Sequence, residues 1–287
     1  MGDDHIRYEV ADRIATLTLD RPDARNAMTY EMLERLIERF DDIDADDDVR
    51  VVIVTSTGRY FCVGTDISGA SGFAPGSPEF EPLRGTGRDL GGELAIRIFD
   101  CTKPVIAAIN GTAVGVGVTM TLPMDVRIAA DDARFGLPFV RRGIVPESCA
   151  SWFLPRVVGA GRAIDWTVTG RIFPASEALD AGLVRELLPA DRVAARARDI
   201  ATEIAAEAAP ISVALTRQLM WKLLGAPHPI VANQLESKAL IAVERGPDTA
   251  EAIAAFFEKR QPRFTQRPSS DLPDFYPWWD EQPFADE

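Results

Sequence analysis

The sequence Ile109-Asn-Gly-Thr-Ala-Val-Gly-Val-Gly117 and the similar sequence Arg59-Tyr-Phe-Cys-Val-Gly-Thr-Asp66 give the strongest indication of how this chain folds. Each lies next to a short apolar run, Pro104-Val-Ile-Ala-Ala-Ile109 or Val51-Val-Ile-Val-Thr55, that is typical of a strand covered on both faces. Glycine has no Cβ atom, so it lets the main chain turn sharply and approach a ligand closely. We therefore predict that each strand ends in a tight glycine turn.

The two glycine turns together predict a site for a negatively charged oxygen. The second turn leads into Val116 to Leu122, where the pattern favours a helix, and the first N–H groups of a helix lack partners inside it. Such groups attract anions. One glycine segment alone would more often be an ordinary strand-to-helix turn. The pair favours an oxyanion hole, in which two backbone N–H groups bind one enolate or tetrahedral oxygen.

Strand and helix patterns alternate along the chain before Ala194, which indicates an α/β fold. Strands are predicted near 13–19, 51–55, 104–110 and 125–129. Helices are predicted near 29–43, 116–123 and 160–169. From Ala194 onward the chain is alanine-rich and helical, and three or four helices are separated by breaks at Pro210, Gly225 to Pro229 and Gly246-Pro247.

These motifs resemble those of the crotonase superfamily, also called the enoyl-CoA hydratase/isomerase family. The resemblance begins at Ile14-Ala-Thr-Leu-Thr-Leu-Asp-Arg-Pro-Asp-Ala-Arg-Asn-Ala27, continues through both glycine segments, and includes Gly182-Leu-Val184 and Phe256-Phe-Glu-Lys-Arg260. The stretch from Ser68 to Asp100 and the tail after Thr265 have no counterpart. The resemblance implies an α/β fold built as a crotonase-like spiral of ββα units, followed by a C-terminal helical oligomerisation region.

The resemblance also implies how the chain is divided. Residues 1–193 would form the spiral core with the acyl-CoA site, and residues 194–264 would pack subunits into a homo-trimer, often paired as a hexamer. A helical cap on the same monomer is the alternative for this second region. Residues 265–287 form an acidic, aromatic tail. Its aromatic residues favour an extended strap over a neighbouring subunit, whereas its prolines and acids favour a disordered extension.

The resemblance implies that the substrate is an acyl-CoA thioester and that no separate cofactor is needed. Thr65 and Val116 occupy the matching motif positions, so their backbone N–H groups would hold the thioester oxygen. A net charge of −13 does not suit the polyanion coenzyme A, so its phosphates would need local cations, with Arg21, Arg25 and Lys259 as the candidates. Each of these three could instead be a solvated surface charge.

Two positions argue against the hydration mechanism of this family. The hydratases that the chain resembles use two glutamates, and the matching positions here are Thr119 and Phe139. Neither side chain can exchange a proton usefully near neutral pH. We therefore expect Thr119 and Phe139 to line the acyl pocket, where Thr119 could hydrogen-bond a water molecule or a substrate group.

Glu147 is the carboxylate that remains in a suggestive position. It lies among apolar residues in Gly143-Ile-Val-Pro-Glu-Ser-Cys149, where desolvation would raise its pKa and make it a competent base. Its spacing after Phe139 resembles that of the catalytic acid in the peroxisomal type of Δ3,Δ2-enoyl-CoA isomerases. Glu147 could also be a helix N-terminal acid that follows Pro146 and complements the helix dipole.

Charged residues in two other places could affect this site. Arg141 and Arg142 lie shortly before Glu147, and an inward arginine would lower the pKa of Glu147. We expect at least one of them at the surface, either solvated or at a subunit contact. Four charged residues of the unmatched stretch could shape the acyl pocket: Arg84, Arg88, Asp89 and Glu93.

Composition and charge argue against several other classes of protein. The excess of 44 acidic over 31 basic residues argues against nucleic-acid binding. Three irregularly spaced cysteines and two histidines suggest neither a disulfide framework, nor a metal site, nor Ser-His-Asp catalysis. The acidic start, Met1-Gly-Asp-Asp4, does not fit a signal peptide. The uncharged stretch between Lys103 and Asp125 is broken by Asn110, Pro123 and glycines, so a membrane span is not expected and the enzyme is expected in the cytoplasm.

The favoured reaction is the isomerisation of a 3-enoyl-CoA to a 2-enoyl-CoA in fatty acid metabolism. Glu147 would move the proton from C2 to C4 while the oxyanion hole holds the dienolate. The alternative reaction is hydration of a 2-enoyl-CoA by Glu147 alone, with Thr119 orienting the water molecule. A hypothesis of another class is a catalytically silent acyl-CoA-binding or scaffold protein. The missing glutamates would explain such a protein, but the two glycine turns argue against it.

Overall fold

The computed structural model describes residues 5–67, 87–280, 282 and 284, and within these residues ten strands form two sheets. The strands are β1 (Ile6–Ala11), β2 (Ile14–Leu19), β3 (Val51–Ser56), β4 (Tyr60–Cys62), β5 (Val105–Ile109), β6 (Thr112–Val114), β7 (Val126–Ala130), β8 (Arg134–Gly136), β9 (Ile172–Pro174) and β10 (Glu186–Leu188). The larger sheet has the order β1-β2-β3-β5-β7-β10, and the smaller sheet has the order β4-β6-β8-β9. Neighbouring strands are parallel except in the pairs β1–β2 and β8–β9.

The strands alternate between the two sheets along the chain. The pairs β3–β4, β5–β6 and β7–β8 each place their first strand in the larger sheet and their second strand in the smaller one. This is the repeated ββα arrangement that the resemblance implies. The four predicted strands are confirmed as β2, β3, β5 and β7. All five residues of β5 are buried, because helices and the second sheet cover both faces of the larger sheet.

A glycine turn directly follows β5, because Gly111 lies between β5 and β6. The other glycines of the two segments come after a short strand of the smaller sheet that is not predicted: Gly64 follows β4, and Gly115 follows β6. Strands of three residues are too short to show an alternating pattern, so the sequence does not reveal them.

The helices fall into a group within the spiral and a group after it. The first group is α1 (Tyr30–Ala45), α2 (Leu90–Asp100), α3 (Val116–Thr119), α4 (Ala150–Val158), α5 (Ala160–Thr169) and α6 (Ala175–Asp180). The second group is α7 (Ala190–Glu207), α8 (Pro210–Lys222), α9 (Pro229–Glu244), α10 (Pro247–Glu258) and the single turn α11 (Pro268–Asp271). Helices predicted near 29–43 and 160–169 are confirmed as α1 and α5.

The helix predicted near 116–123 is shorter than expected. It ends at Thr119, and the chain continues through turns in which Leu122 N–H donates to the Thr119 carbonyl. Pro123 has no N–H group, so it could not continue the helical hydrogen bonds. The result is a one-turn helix that directly follows Gly115 of the second glycine turn.

The C-terminal part of the chain adds one helix to the core and forms a second, smaller core. Residues 193 and 194, where the sequence suggests a boundary, lie inside α7, which packs against β3, β5 and β7. The smaller core is formed by α8, α9 and the tail, where Phe275, Tyr276 and Trp278 pack against buried residues such as Leu215 and Leu219. The described part of the tail thus lies on helices of its own chain, and the strap over a neighbouring subunit stays a prediction.

None of the helices within the described ranges combines the length and the apolar character that crossing a bilayer would require.

Candidate active site

The two glycine turns lie against each other at the ends of β4 and β6. These strands pair in parallel, with Cys62 opposite Ala113. A Cβ atom on Gly117 would stand 2.2 Å from the carbonyl oxygen of Cys62, and one on Gly115 would stand 3.6 Å from Gly64 Cα. The main chains are therefore too close for a side chain at Gly117, whereas Gly64 and Gly115 have φ of +108° and +56°, a backbone conformation that favours glycine.

The Thr65 amide points away from Met28, which forms an isolated bridge with Thr65 shortly before α1. Met28 N–H donates to the Gly64 carbonyl at 2.9 Å, and Asp66 N–H donates to the Met28 carbonyl at 2.8 Å. Successive N–H groups of an extended chain point to opposite edges, so the Thr65 N–H faces the edge opposite Met28. The second glycine turn lies on that side.

The Val116 amide lies at the start of α3. Gly115 precedes the helix with φ +56°, and its carbonyl accepts from Val118 N–H at 2.8 Å and from Thr119 N–H at 3.0 Å. Val116 is the first helical residue, so its N–H has no partner within the helix. The structure thus brings Thr65 and Val116, the two residues expected to form an oxyanion hole, to adjoining turns.

Glu147 joins these turns through a hydrogen bond to Thr119. The Thr119 hydroxyl donates to Glu147 Oε1 at 2.6 Å, and the Ser148 hydroxyl donates to Glu147 Oε2. Thr119 is fully buried and lies three residues after Val116, a rise of roughly 5 Å along a helix. Thr119 thus links the carboxylate to the short helix that begins at Val116.

Burial and, second to it, the nearby charge of Asp89 raise the pKa of Glu147 to about 7. The hydrogen bonds from Ser148 and Thr119 act in the opposite direction. The Glu147 charge is in turn one cause of the raised pKa of Cys62, after burial, so the carboxylate lies close to the first glycine turn. A carboxyl group with a pKa near 7 can both accept and donate a proton at neutral pH.

Neither arginine that precedes Glu147 weakens it as a base. Arg141 and Arg142 are both exposed, in a 3-10 turn, and Arg141 Nε donates to the Thr169 carbonyl at 2.8 Å. The prediction that at least one of them lies at the surface is confirmed. The causes of the Glu147 pKa shift are burial, Asp89 and two hydroxyl groups.

Asp89 and Ser148 belong to the site, although the sequence does not indicate their connection. Asp89 caps α2 by accepting from the N–H groups of Gly91 at 3.0 Å and Gly92 at 2.9 Å, and its Oδ2 also accepts from Ser148 N–H at 2.7 Å. An acid before an apolar helix start is a recognisable N-cap pattern. The contact with Ser148 joins residues 59 positions apart and leaves no such pattern.

The other charged residues of the unmatched stretch contribute less to the site. Arg88 and Glu93 form an ion pair at 3.7 Å. Arg84 lies outside the described residues.

The two residues expected to line the acyl pocket both lie next to the glycine turns. Phe139 is buried, and its ring lies 4.0 Å from the position that a Gly115 Cβ would take. Thr119 uses its hydroxyl hydrogen on Glu147. Its expected hydrogen bond to water or substrate would therefore have to use the remaining lone pair of its oxygen.

The candidates for binding coenzyme A phosphates differ in their surroundings. Arg25 is exposed, and its guanidinium lies 5.6 Å from the ring centre of Tyr60 in β4, close to the first glycine turn. Lys259 is exposed at the C-terminal end of α10. Arg21 forms a 2.6 Å ion pair with the buried Asp66 and donates to the Ala27 carbonyl at 3.1 Å. Arg21 therefore connects Asp66 to the segment that carries Ala27. Of the three candidates, Arg25 and Lys259 are the exposed ones.

Among the described residues, histidine, cysteine and acidic side chains do not gather in a group of three that could hold a metal ion.

Comparison with known proteins gives consistent matches over most of the chain. Residues 9–267 match the family model described as enoyl-CoA hydratase/isomerase. A protein of Alternaria alternata named enoyl-CoA hydratase ACTT3 is 45% identical over 255 residues, covering 88% of this chain and 83% of that protein. The 1,2-epoxyphenylacetyl-CoA isomerase of Escherichia coli is 30% identical, covering 91% of this chain and 98% of its own. The crystal structure of an enoyl-CoA hydratase from Bacillus anthracis matches with a TM-score of 0.83 and 31% identity, over 91% of this chain and 98% of that one.

Proposed function

The chain belongs to the enoyl-CoA hydratase/isomerase family of acyl-CoA enzymes, and from this premise we propose that it converts a 3-enoyl-CoA to a 2-enoyl-CoA. One observation carries the proposal. Glu147 is a single carboxylate with a pKa near 7, and Thr119 holds it beside two adjoining glycine turns. The two positions where related hydratases carry glutamates are Thr119 and Phe139. Isomerisation needs only one proton carrier, so it suits this site better than hydration by two acids.

In the proposed reaction, the amides of Thr65 and Val116 bind the thioester oxygen. The Glu147 carboxylate takes a proton from C2, and the electrons of the broken C–H bond delocalise into a dienolate whose negative oxygen the two amides stabilise. Protonated Glu147 then returns the proton to C4, and the double bond has moved from between C3 and C4 to between C2 and C3. Atoms balance without water, and the carboxylate is regenerated. Arg25 and Lys259 are proposed to bind coenzyme A phosphates.

A second candidate function is hydration of a 2-enoyl-CoA. Relatives with 43–45% identity are named enoyl-CoA hydratases, which favours this candidate. Glu147 would activate the water molecule and return its proton to C2. Thr119 could only accept a hydrogen bond from that water, because its own hydrogen bonds Glu147. A silent acyl-CoA-binding protein would need neither the close glycine turns nor a carboxylate with a raised pKa.

The proposal includes assembly into a trimer or hexamer in the cytoplasm, as a part of fatty acid metabolism. Several large apolar side chains of α9 and α10 are exposed in the single chain, and subunit contacts would bury them: Leu240, Ile241, Ile253, Phe256 and Phe257. The three cysteines are unpaired, which suits a reducing compartment. Sedimentation equilibrium would test the assembly by counting chains per particle.

The experiment that tests the reaction compares wild type with Glu147→Gln on trans-3-hexenoyl-CoA and, separately, on crotonyl-CoA, with the products identified directly. We expect conversion of the 3-enoyl substrate, reduced by roughly 10²- to 10⁴-fold in the variant because the proton carrier is lost. Glu93→Gln is the matched control, because it replaces an acid in the first turn of α2 that pairs with Arg88.

Each outcome of this experiment has a defined meaning. Full conversion of the 3-enoyl substrate by Glu147→Gln would refute the single-carboxylate mechanism. Hydration of crotonyl-CoA without isomerisation would favour the second candidate. Wild-type protein that acts on neither thioester, yet binds both, would favour the binding protein.

A further inference from the structure

Both oxygens of the Glu147 carboxylate are occupied by hydroxyl donors, which the reaction alone does not require. Thr119 donates to Oε1 from the end of α3, and Ser148 donates to Oε2 from the neighbouring position in the chain. A carboxylate bonded through one oxygen could still rotate about its last bond. Two donors on different oxygens fix the plane of the group, so they determine which lone pair can reach a substrate.

Ser148 has a backbone conformation that needs external support. Ser148 and Cys149 both have φ of 54°, in the left-handed region that costs energy for residues other than glycine. Consecutive residues of this kind persist only when the surrounding structure holds them. The support here is Asp89, whose Oδ2 accepts from Ser148 N–H at 2.7 Å.

Asp89 is itself held by the main chain of two segments. Its two oxygens accept from three backbone N–H groups, those of Gly91, Gly92 and Ser148. The contact with Glu147 is nevertheless close. The position that a Cβ on Gly91 would take lies 2.4 Å from Glu147 Oε2, 2.4 Å from Ser148 Oγ and 3.3 Å from Asp89 Oδ1. The absence of a side chain at Gly91 is therefore what lets the three polar groups meet.

We propose that Asp89 is a positioning residue for proton transfer, because it holds Ser148 against one oxygen of Glu147 and places its own carboxylate beside that oxygen. The inference rests on the proposed function in assigning proton transfer to Glu147. Asp89 thus takes a part in the site without touching the substrate, and it links the start of α2 to the reacting carboxylate.

The groups around Glu147 determine how its ionisation should respond. Asp89 faces it from the start of α2, Cys62 from the end of β4, and Cys149 from the turn that precedes α4. Arg88 acts on the neighbouring Cys149. The thiols are neutral near pH 7 because burial raises their pKa, so Asp89 is the charge that acts on Glu147 directly.

The experiment follows the ionisation of Glu147 by infrared difference spectroscopy on the full chain without substrate, with Glu147→Gln identifying the carboxyl band. Asp89→Asn removes the charge, so the midpoint should move to lower pH by roughly 0.5–1 pH unit. Ser148→Ala removes a hydrogen bond to the ionised form, so the midpoint should move to higher pH. The double variant should deviate from the sum of the two shifts, because Asp89 acts partly through Ser148.

Glu93→Gln is the control, since it removes a negative charge from the same helix end outside the cluster. If Ser148→Ala does not fold, Ser148→Gly removes the same hydroxyl and tolerates the left-handed backbone. Midpoints that stay at the wild-type value in Asp89→Asn, or that move equally in Glu93→Gln, would overturn the inference. The titration needs no substrate, so a failed isomerase assay with the expected shifts would refute the proposed reaction alone.

Discussion

The candidate site has two halves that are built in different ways. The half that would bind the thioester oxygen consists of main chain, and its two turns touch through backbone atoms such as the Cys62 carbonyl and Gly117. The half that would move the proton consists of side chains, with Glu147 held by hydroxyls and by the cap of α2. Backbone contacts can be lost only with the local fold, whereas side-chain contacts can shift while the fold remains. Substitutions in the backbone half should therefore lower stability together with activity, whereas substitutions in the side-chain half can lower activity alone.

Gly117→Ala should have the largest effect, because it attacks the backbone half. The new Cβ would stand 2.2 Å from the Cys62 carbonyl oxygen and 2.9 Å from its Cβ. Backbone cannot move aside at low cost, so we expect a loss of about 1–3 kcal/mol in the free energy of unfolding. Displacement of the neighbouring Val116 amide should lower kcat by roughly 10²- to 10³-fold. Chemical denaturation and a thioester assay on the same sample would measure both losses.

Gly161→Ala is the matched control, since it lies in α5 with nothing within 4 Å of the new Cβ. It should leave activity unchanged and should stabilise the protein slightly, because alanine favours the helix. Equal stability of Gly117→Ala and the control would show that the turns are not tightly packed, which would contradict the distinction between the halves.

Gly91→Ala should affect the side-chain half, and it should lower activity with little loss of stability. Its Cβ would meet the ends of two side chains, Glu147 Oε2 and Ser148 Oγ, each at 2.4 Å. These atoms can swing away, so the fold should lose little stability while the carboxylate leaves its position. A displacement of about 1 Å in a reacting group can lower the rate roughly 10²-fold. We expect a reduced kcat with a melting temperature close to that of the wild type.

Gly92→Ala provides the comparison from the next residue of the same helix. There the three atoms nearest to the Cβ would all belong to Asp89, the closest at 3.3 Å. Gly92→Ala should therefore lower kcat less than Gly91→Ala, because it disturbs Glu147 only through Asp89. If both alanine variants lose activity equally, the contact with Glu147 is not the cause.

The backbone half is largely predictable from the sequence, because each glycine turn is encoded within one short segment. The turns predict a site with two N–H donors, the resemblance to the family implies that Thr65 and Val116 are those donors, and the structure places both residues at adjoining turns. Glu147 is found because a carboxylate among apolar residues is unusual. The partners of Glu147 are not found, because their contacts join distant segments, 28 positions apart for Thr119 and 59 for the bond between Asp89 and Ser148.

Thr119→Val should lower kcat moderately, and it tests one contact of the side-chain half, the bond between α3 and Glu147. Valine has nearly the shape of threonine, so the main loss is the hydrogen bond to Glu147 Oε1. A hydrogen bond to a charged group contributes about 1.5–3 kcal/mol, which corresponds to a decrease in kcat of roughly tenfold or more if the bond orients the carboxylate. The pH midpoint of the rate should also rise, because this bond lowers the pKa of Glu147.

Thr121→Val is the control for that change. Thr121 is also buried, but its hydroxyl donates to the Val118 carbonyl at 2.7 Å, away from the carboxylate. Its kcat and pH profile should stay at the wild-type values. An equal loss in both variants would mean that any buried hydroxyl in this turn is required, and Thr119 would have no special connection with Glu147.

The smallest expected effect is the pH dependence of stability, and it concerns the side-chain half alone. Glu147 has a pKa of about 7 in the folded protein, against about 4.3 for an unperturbed glutamate. Between these values the folded chain keeps a proton that the unfolded chain releases, so this group lowers stability as pH rises through the window. Glu147→Gln lacks the ionisation and should become more stable than the wild type above about pH 7, by about 1–3 kcal/mol, with no such gain near pH 4. Thermal melts of both proteins across this range would measure the difference. A difference that is constant with pH would mean that the folded structure does not shift the pKa of Glu147. The carboxyl group would then be unable both to accept and to donate a proton near neutral pH, as the isomerisation requires.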